Sequence, residues 1–138
     1  MSGETDLARL LQEMKPERNP GEYVFCIADS LEQATGLEPI FVFREAEGFT
    51  FILPRAQAEA RSLPYSAVCA WITLTVHSSL EAVGLTAAVS RALAEQNISS
   101  NVVAAYYHDH LFIPVKQAER AMKALAALSG SDSALSGA

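Results

Sequence analysis

Apolar residues recur at helical spacing near the start of the chain. Leu7, Leu10, Leu11 and Met14 stand at i, i+3, i+4 and i+7, one stripe of a short amphipathic helix. Thr5 or Asp6 can cap its start, and Pro16 ends it, because proline cannot continue the hydrogen-bond ladder. The Asn19-Pro20-Gly21 sequence reads as a turn feeding a strand over Tyr23–Ala28, which is rich in β-formers. Ser30 to Gly36 reads as a short helical or irregular connection. Ile40–Arg44 and Phe49–Leu53 are predicted strands joined by Glu45-Ala46-Glu47-Gly48, with Gly48 supplying a positive φ. Pro54 stops the second strand and opens a helix from Arg55 to about Arg61.

The pattern then starts again. Val68 to Val76 is the clearest strand: Val68, Ala70, Ile72, Leu74 and Val76 point one way, Trp71, Thr73 and Thr75 the other. Leu85, Ala88, Val89, Ala92 and Leu93 mark the buried stripe of a helix that Asn97 can end in the left-handed conformation. Strands over Asn101–Tyr106 and Leu111–Val115 flank a predicted tip, Tyr107-His108-Asp109-His110. Ala118, Ala121, Met122, Leu125 and Leu128 form a last helical stripe. The order is β-α-β-β-α in the second part and α-β-(short)-β-β-α in the first. These orders predict an α+β fold, with antiparallel or mixed sheet and helices packed on one face. Leu63-Pro64 divides the chain into halves 1–64 and 65–128, followed by a Gly/Ser/Ala-rich tail, 129–138, expected to be disordered.

Composition narrows the classes. The chain has 138 residues and half of them are apolar, enough for a core without staples. Cys26 and Cys69 lie in strand-like runs without metal-ligand spacing and read as reduced core thiols, with a disulfide as the alternative. The polar N-terminal residues lack the pattern of a secretory signal, and no apolar run is long enough to span a bilayer. A net charge of −6 disfavours nucleic acid, which needs a basic footprint. The expectation is a soluble, cytoplasmic protein with neither nucleic-acid nor membrane partners.

From Val68 to Leu128 the succession of strand, glycine-containing loop, helix, hairpin and closing helix resembles an ACT domain. Ile72–Ile98 (ITLTVHSSLEAVGLTAAVSRALAEQNI), Asn101–Val115, Tyr23–Cys26 and Glu38–Leu53 are similar to an uncharacterised bacterial family of small tandem ACT-like proteins. The resemblance covers roughly Thr5 to Leu128 and implies two ferredoxin-like, βαββαβ-type subdomains, sometimes with strands exchanged between them. It further implies a regulatory function without catalysis or cofactor, a homodimer, and an amino-acid or similar effector bound at an interface between domains. Carried onto this chain, the effector loop and helix start supply His77, Ser78, Ser79, Glu81, Val83, Gly84 and Leu85. The facing strand supplies Asn101, Val102 and Val103. Relatives in arginine-sensing proteins carry a Ser-Thr pair before the hairpin, where this chain has Ala104-Ala105-Tyr106.

Other readings of these residues stay open. Gly84 can let a ligand carboxylate approach the N–H groups of a helix start, or can simply permit tight packing. Ser78 and Glu81 have capping-box spacing, and Ser79 near His77 lacks the elbow of a hydrolase nucleophile. His108, Asp109 and His110, with His77, have donor types that suit a divalent metal, so a metal-binding protein or metal-dependent enzyme is the alternative function. The bland reading of that cluster is a polar tip in which Asp109 makes the turn. Trp71, Tyr106 and Tyr107 can line a pocket or anchor a core, and Arg44 and Glu45 can meet a charged ligand or form a solvated edge. A ligand-free interaction module that works through a partner protein is the third function class.

Overall fold

The structure, a computed structural model, describes residues 6–76 and 84–130. Its elements are α1 (Leu7–Glu13), β1 (Pro16–Ala28), β2 (Phe41–Glu45), β3 (Gly48–Pro54), α2 (Arg55–Ala60), β4 (Tyr65–Leu74), α3 (Leu85–Glu95), β5 (Asn101–Ala104), β6 (Asp109–Pro114) and α4 (Ala118–Ser129). Short 3-10 turns occupy Leu31–Ala34 and Val115–Gln117. The described residues fall into two compact units, one within Met1–Asn19 and Ala70–Ala138, the other Pro20–Cys69. β1 and β4 therefore each give one end to each unit. No helix among the described residues is long and apolar enough to cross a membrane.

In the first unit the strand order is β1-β4-β6-β5. β5 and β6 are antiparallel, with Asn101 opposite Phe112 and Val103 opposite His110. Leu10 and Met14 from the N-terminal segment, Leu85, Val89 and Leu93 from α3, and Ala121 and Leu125 from α4 close over Ile72, Leu74, Leu111 and Ile113. Burying one such branched side chain is worth roughly 1.5–3 kcal/mol, so this layer fixes the helices on the sheet. The helical stripes read from the sequence are the ones buried here. Asp6 caps α1 by accepting from the Arg9 amide at 3.3 Å. Past the end of α3, Asn97 takes φ 59°, the left-handed stop expected of it. The helix nearest the N-terminus thus packs with the elements of the second half of the sequence.

In the second unit the order is β2-β3-β1-β4. Cys26 faces Phe51 and Val24 faces Leu53 across the β1–β3 ladder. These four, with Ala28, pack against Ala34, Ala58 and Leu63. The opposite face carries Phe25, Ile27, Thr50 and Ile52, joined by Phe41 and Phe43 from β2. The two phenylalanine rings stack with centroids 6.0 Å apart.

Three expectations are corrected. The Asn19-Pro20-Gly21 turn is part of a continuous β1. The irregularity is absorbed locally: Gly21 takes φ 103°, and the Tyr23 hydroxyl donates to the Pro20 carbonyl at 2.6 Å. The β5–β6 tip is not Tyr107–His110. Ala104 pairs with Asp109, and the Ala105 amide donates to the His108 carbonyl at 3.0 Å, so Tyr106 and Tyr107 make the tip. Long-range register, rather than the turn preference of Asp109, decides this. Finally, the Val68–Val76 strand begins at Tyr65 and ends at Leu74, where the Val76 amide turns back to the Leu74 carbonyl at 2.9 Å.

Candidate functional site

Gly84 is the N-cap of α3, one position outside the helix. Its φ is 101°, and a Cβ there would stand 3.0 Å from Leu7 Cδ2. Its carbonyl accepts from the Ala88 amide at 2.8 Å, so the first turn of α3 is already anchored on this glycine. The backbone conformation favours glycine, and a Cβ would in addition press on the Leu7 side chain of α1. His77, Ser78, Ser79, Glu81 and Val83 lie outside the described residues. Leu85 is a core side chain, 3% exposed.

On β5 the expected site residues divide between faces. Val102 packs against the helix-side core. Asn101 and Val103 share the other face with Phe112 and His110, their cross-strand partners. Asn101 Nδ2 donates to the Phe112 carbonyl at 3.3 Å and fixes its amide along the edge strand.

His108, Asp109 and His110 lie at the junction of the hairpin tip and β6. Asp109 is buried while His108, just before β6, and His110 are half-buried. His110 Nδ1 accepts from the Trp71 indole N–H at 2.9 Å and lies 3.2 Å from Thr73 Oγ1. An indole N–H can only donate, so Nδ1 is unprotonated and the ring proton sits on Nε2. His108 Nδ1 lies 3.4 Å from the Val76 carbonyl. Among the described residues no three His, Cys, Asp or Glu side chains form a group that could hold a metal ion. Burial pushes the Asp109 carboxyl up, against the opposing charge of His108. Burial also pushes the His110 imidazole down, and His108 adds to that shift.

The sequence reading missed two polar groupings. Asn19 Nδ2 donates to the Trp71 carbonyl at 3.2 Å and to Thr73 Oγ1 at 3.0 Å, extending the His110–Trp71 network. Arg55, Glu22, Glu59 and Tyr65 meet in the other unit. Only the Arg55–Glu59 spacing of four residues signalled any of this. Tyr106 and Tyr107 both project from the tip, 73% and 65% exposed, with their rings edge to face at 4.9 Å. Cys26 and Cys69 are free and buried, and burial pushes both thiols up, away from reactivity.

Helices on one face of an antiparallel sheet, a glycine-opened helix and a short edge strand define a ferredoxin-like α+β module. The chain belongs to the ACT domain family: residues 2–70 and residues 66–127 each match an ACT domain, giving two in tandem. A Vibrio cholerae protein of unknown function, described as a possible transport protein, is 49% identical over 89% of this chain and 95% of its own, with a TM-score of 0.82. An Agrobacterium tumefaciens protein shares the fold at 15% identity, covering 84% of this chain and 89% of that one, with a TM-score of 0.70. The regulatory subunit of aspartate kinase from Thermus flavus does so at 11% identity, covering 83% and 96%, with a TM-score of 0.62. No curated protein matches the chain.

Proposed function

We propose that the chain is a non-catalytic, cytoplasmic regulatory module that binds a small effector, an amino acid, and answers through homodimer assembly or a partner protein. Along the sequence its halves are 1–64 and 65–128, with 129–138 as a tail. The effector site lies in the second ACT domain. It comprises the His77–Val83 loop, the backbone of Gly84 and Leu85, and the strand Asn101–Val103 of a second copy.

The observation that best supports this reading is the position of β5. It ends the strand order of its unit, so one row of backbone N–H and C=O groups is left for another strand. Its sequence, Asn-Val-Val-Ala, carries no lysine or proline to block such pairing. Joining two edges places the polar Asn101 amide beside the seam. An effector there regulates by binding one assembly state better than the other, with coupling typically about 1–3 kcal/mol.

The test is a thermal-shift screen of the common amino acids, read together with size-exclusion chromatography. One amino acid should raise the melting temperature and change the elution volume. Val103→Lys, which puts a charge on the edge strand, should abolish both responses. A strict monomer with every amino acid, and no thermal response, would overturn the proposal.

A further inference from the structure

We propose that the sheet face of the Pro20–Cys69 unit opposite its helix docks a partner protein, through a segment that combines large apolar side chains with lysine or arginine. This surface belongs to the other unit from the effector site above and does not rest on it.

The face is built in rows across three strands. Ile27 of β1, Thr50 of β3 and Phe43 of β2 stand side by side in one row, and Phe25, Ile52 and Phe41 in the next. The second row is closed: Ile52, between two phenylalanines, is fully buried. The first is open, with Ile27 52% and Phe43 56% exposed. Two strand spacings, about 10 Å, separate these two side chains, and only Thr50 lies between them. Beside the row an open hollow of about 400 Å³ is lined by Phe25, Ile27, Thr50, Pro64, Tyr65 and Ser66. The Phe41 ring stacks on that of Phe43 and holds it in place, so the strip is ordered before anything binds. An ordered apolar strip next to a hollow has the form of a protein interface, where a few large side chains seated in pockets carry most of the energy.

Charge selects the partner. Next along this face of β2 comes Glu45, whose carboxylate is held there by a hydrogen bond from the Thr50 hydroxyl. Among the described residues no basic side chain pairs with it. The whole unit has seven acidic residues against three arginines and no lysine. Two of those arginines are engaged elsewhere, Arg55 with Glu22 and Glu59, Arg61 with the Gln33 and Thr35 carbonyls. The third, Arg44, has its register position on the other face, opposite Phe49. A second copy docked face to face would set like charge against like. A segment with apolar anchors and basic neighbours fills the row and the hollow and pairs with Glu45 at once.

The experiment is two-dimensional NMR of the full chain titrated with three short synthetic peptides, alternating leucine with lysine, leucine with glutamate, and serine with lysine. The leucine–lysine peptide should shift the amides of Ile27, Phe43, Thr50 and Ser66, and the other two should not. Phe43→Ser and Glu45→Gln, both at exposed positions, should weaken its Kd by about tenfold and about threefold. Added salt should weaken binding to the unaltered chain more than to Glu45→Gln. Tyr106→Ser, which removes an exposed aromatic from the other unit, should leave the Kd unchanged. Silence of these amides overturns the proposal, as does a Kd unchanged in Phe43→Ser or Glu45→Gln. Shifts that follow protein concentration alone give the face to a second copy, and equal shifts with free indole give the hollow to a small apolar molecule. Either result overturns it too.

Discussion

The two units solve one problem with unequal means. In the first, α1, α3 and α4 run for 7, 11 and 12 residues and cover their sheet face with a continuous layer. In the second, the cover is a six-residue helix and a four-residue 3-10 turn, and the opposite face carries Ile27 and Phe43, both more than half exposed. Yet both have side chains sealed from water, Leu93 in one and Phe51 in the other. Helix length and core closure are therefore separable: a strand face of Val24, Cys26, Phe51 and Leu53 can be closed by Ala34, Ala58, Leu63 and a turn.

The largest expected effects test that separation. Phe51→Ala should cost about 3–5 kcal/mol and Leu93→Ala about 2–5 kcal/mol, measured by urea denaturation. Comparable losses would show that contact, not helix length, sets local stability. A loss under about 1 kcal/mol at Phe51 would break the comparison, because a well-packed aromatic cannot be removed so cheaply.

Next in size is the glycine comparison within the first unit. Gly84→Ala meets both a positive φ and Leu7 at 3.0 Å, whereas Gly130→Ala meets a φ of 86° and nothing within 4 Å. Gly84→Ala should cost about 2–4 kcal/mol, conformational strain plus overpacking, and Gly130→Ala about 1–2 kcal/mol, strain alone. Pairing each with Leu7→Ala in a double-mutant cycle isolates the contact: coupling is expected for Gly84 and none for Gly130.

A pH series sharpens the contrast between buried Asp109 and half-buried His110 on β6. The His110 imidazole is pushed below its ordinary value near 6.5, so the unfolded chain binds its proton first. The contribution of His110 to stability is thus full above pH 6.5 and is lost as pH falls through the folded value. Protonation also ends the bond from the Trp71 indole, and Trp71 is the single tryptophan, so its fluorescence should follow the same transition. His110→Gln should flatten this part of the profile. Asp109 works in the opposite direction, since its carboxyl is pushed up and ionising it at neutral pH opposes folding. Asp109→Asn should raise the melting temperature at pH 7.

Most of the architecture was legible from local pattern. The stripes of α3 and α4 and the alternation in β4 need only neighbours along the chain to declare themselves. What escaped depends on residues far apart. Asp109 has a turn former's preference, and only its pairing with Ala104 reveals it as a strand residue. The resemblance assigns Leu85 and Val102 to the effector site by position, and their apolar character also marks their side chains as core, where they pack. The Arg55–Glu59 spacing was visible, but Glu22 stands 33 residues away in sequence and joins them only after folding.

The smallest effects concern how each unit fills left-handed positions. Among the described non-glycine residues, the first unit has Asn97 at φ 59°, while the second has Ser62 at 55° and Ala67 at 51°. Asparagine tolerates this conformation because its short amide bonds locally, whereas an alanine pays roughly 1–2 kcal/mol for it. Glycine relieves the strain but returns about 0.5–1 kcal/mol through the greater entropy of its unfolded chain. Asn97→Gly should therefore change stability by less than about 0.5 kcal/mol, the two terms nearly cancelling. Ala67→Gly, at an exposed position, should stabilise by roughly 0.5–1 kcal/mol. Thermal melts of both variants decide the matter. If Ala67→Gly gives no gain, the backbone at residue 67 relaxes without glycine, and the second unit carries less strain than its dihedral angle implies.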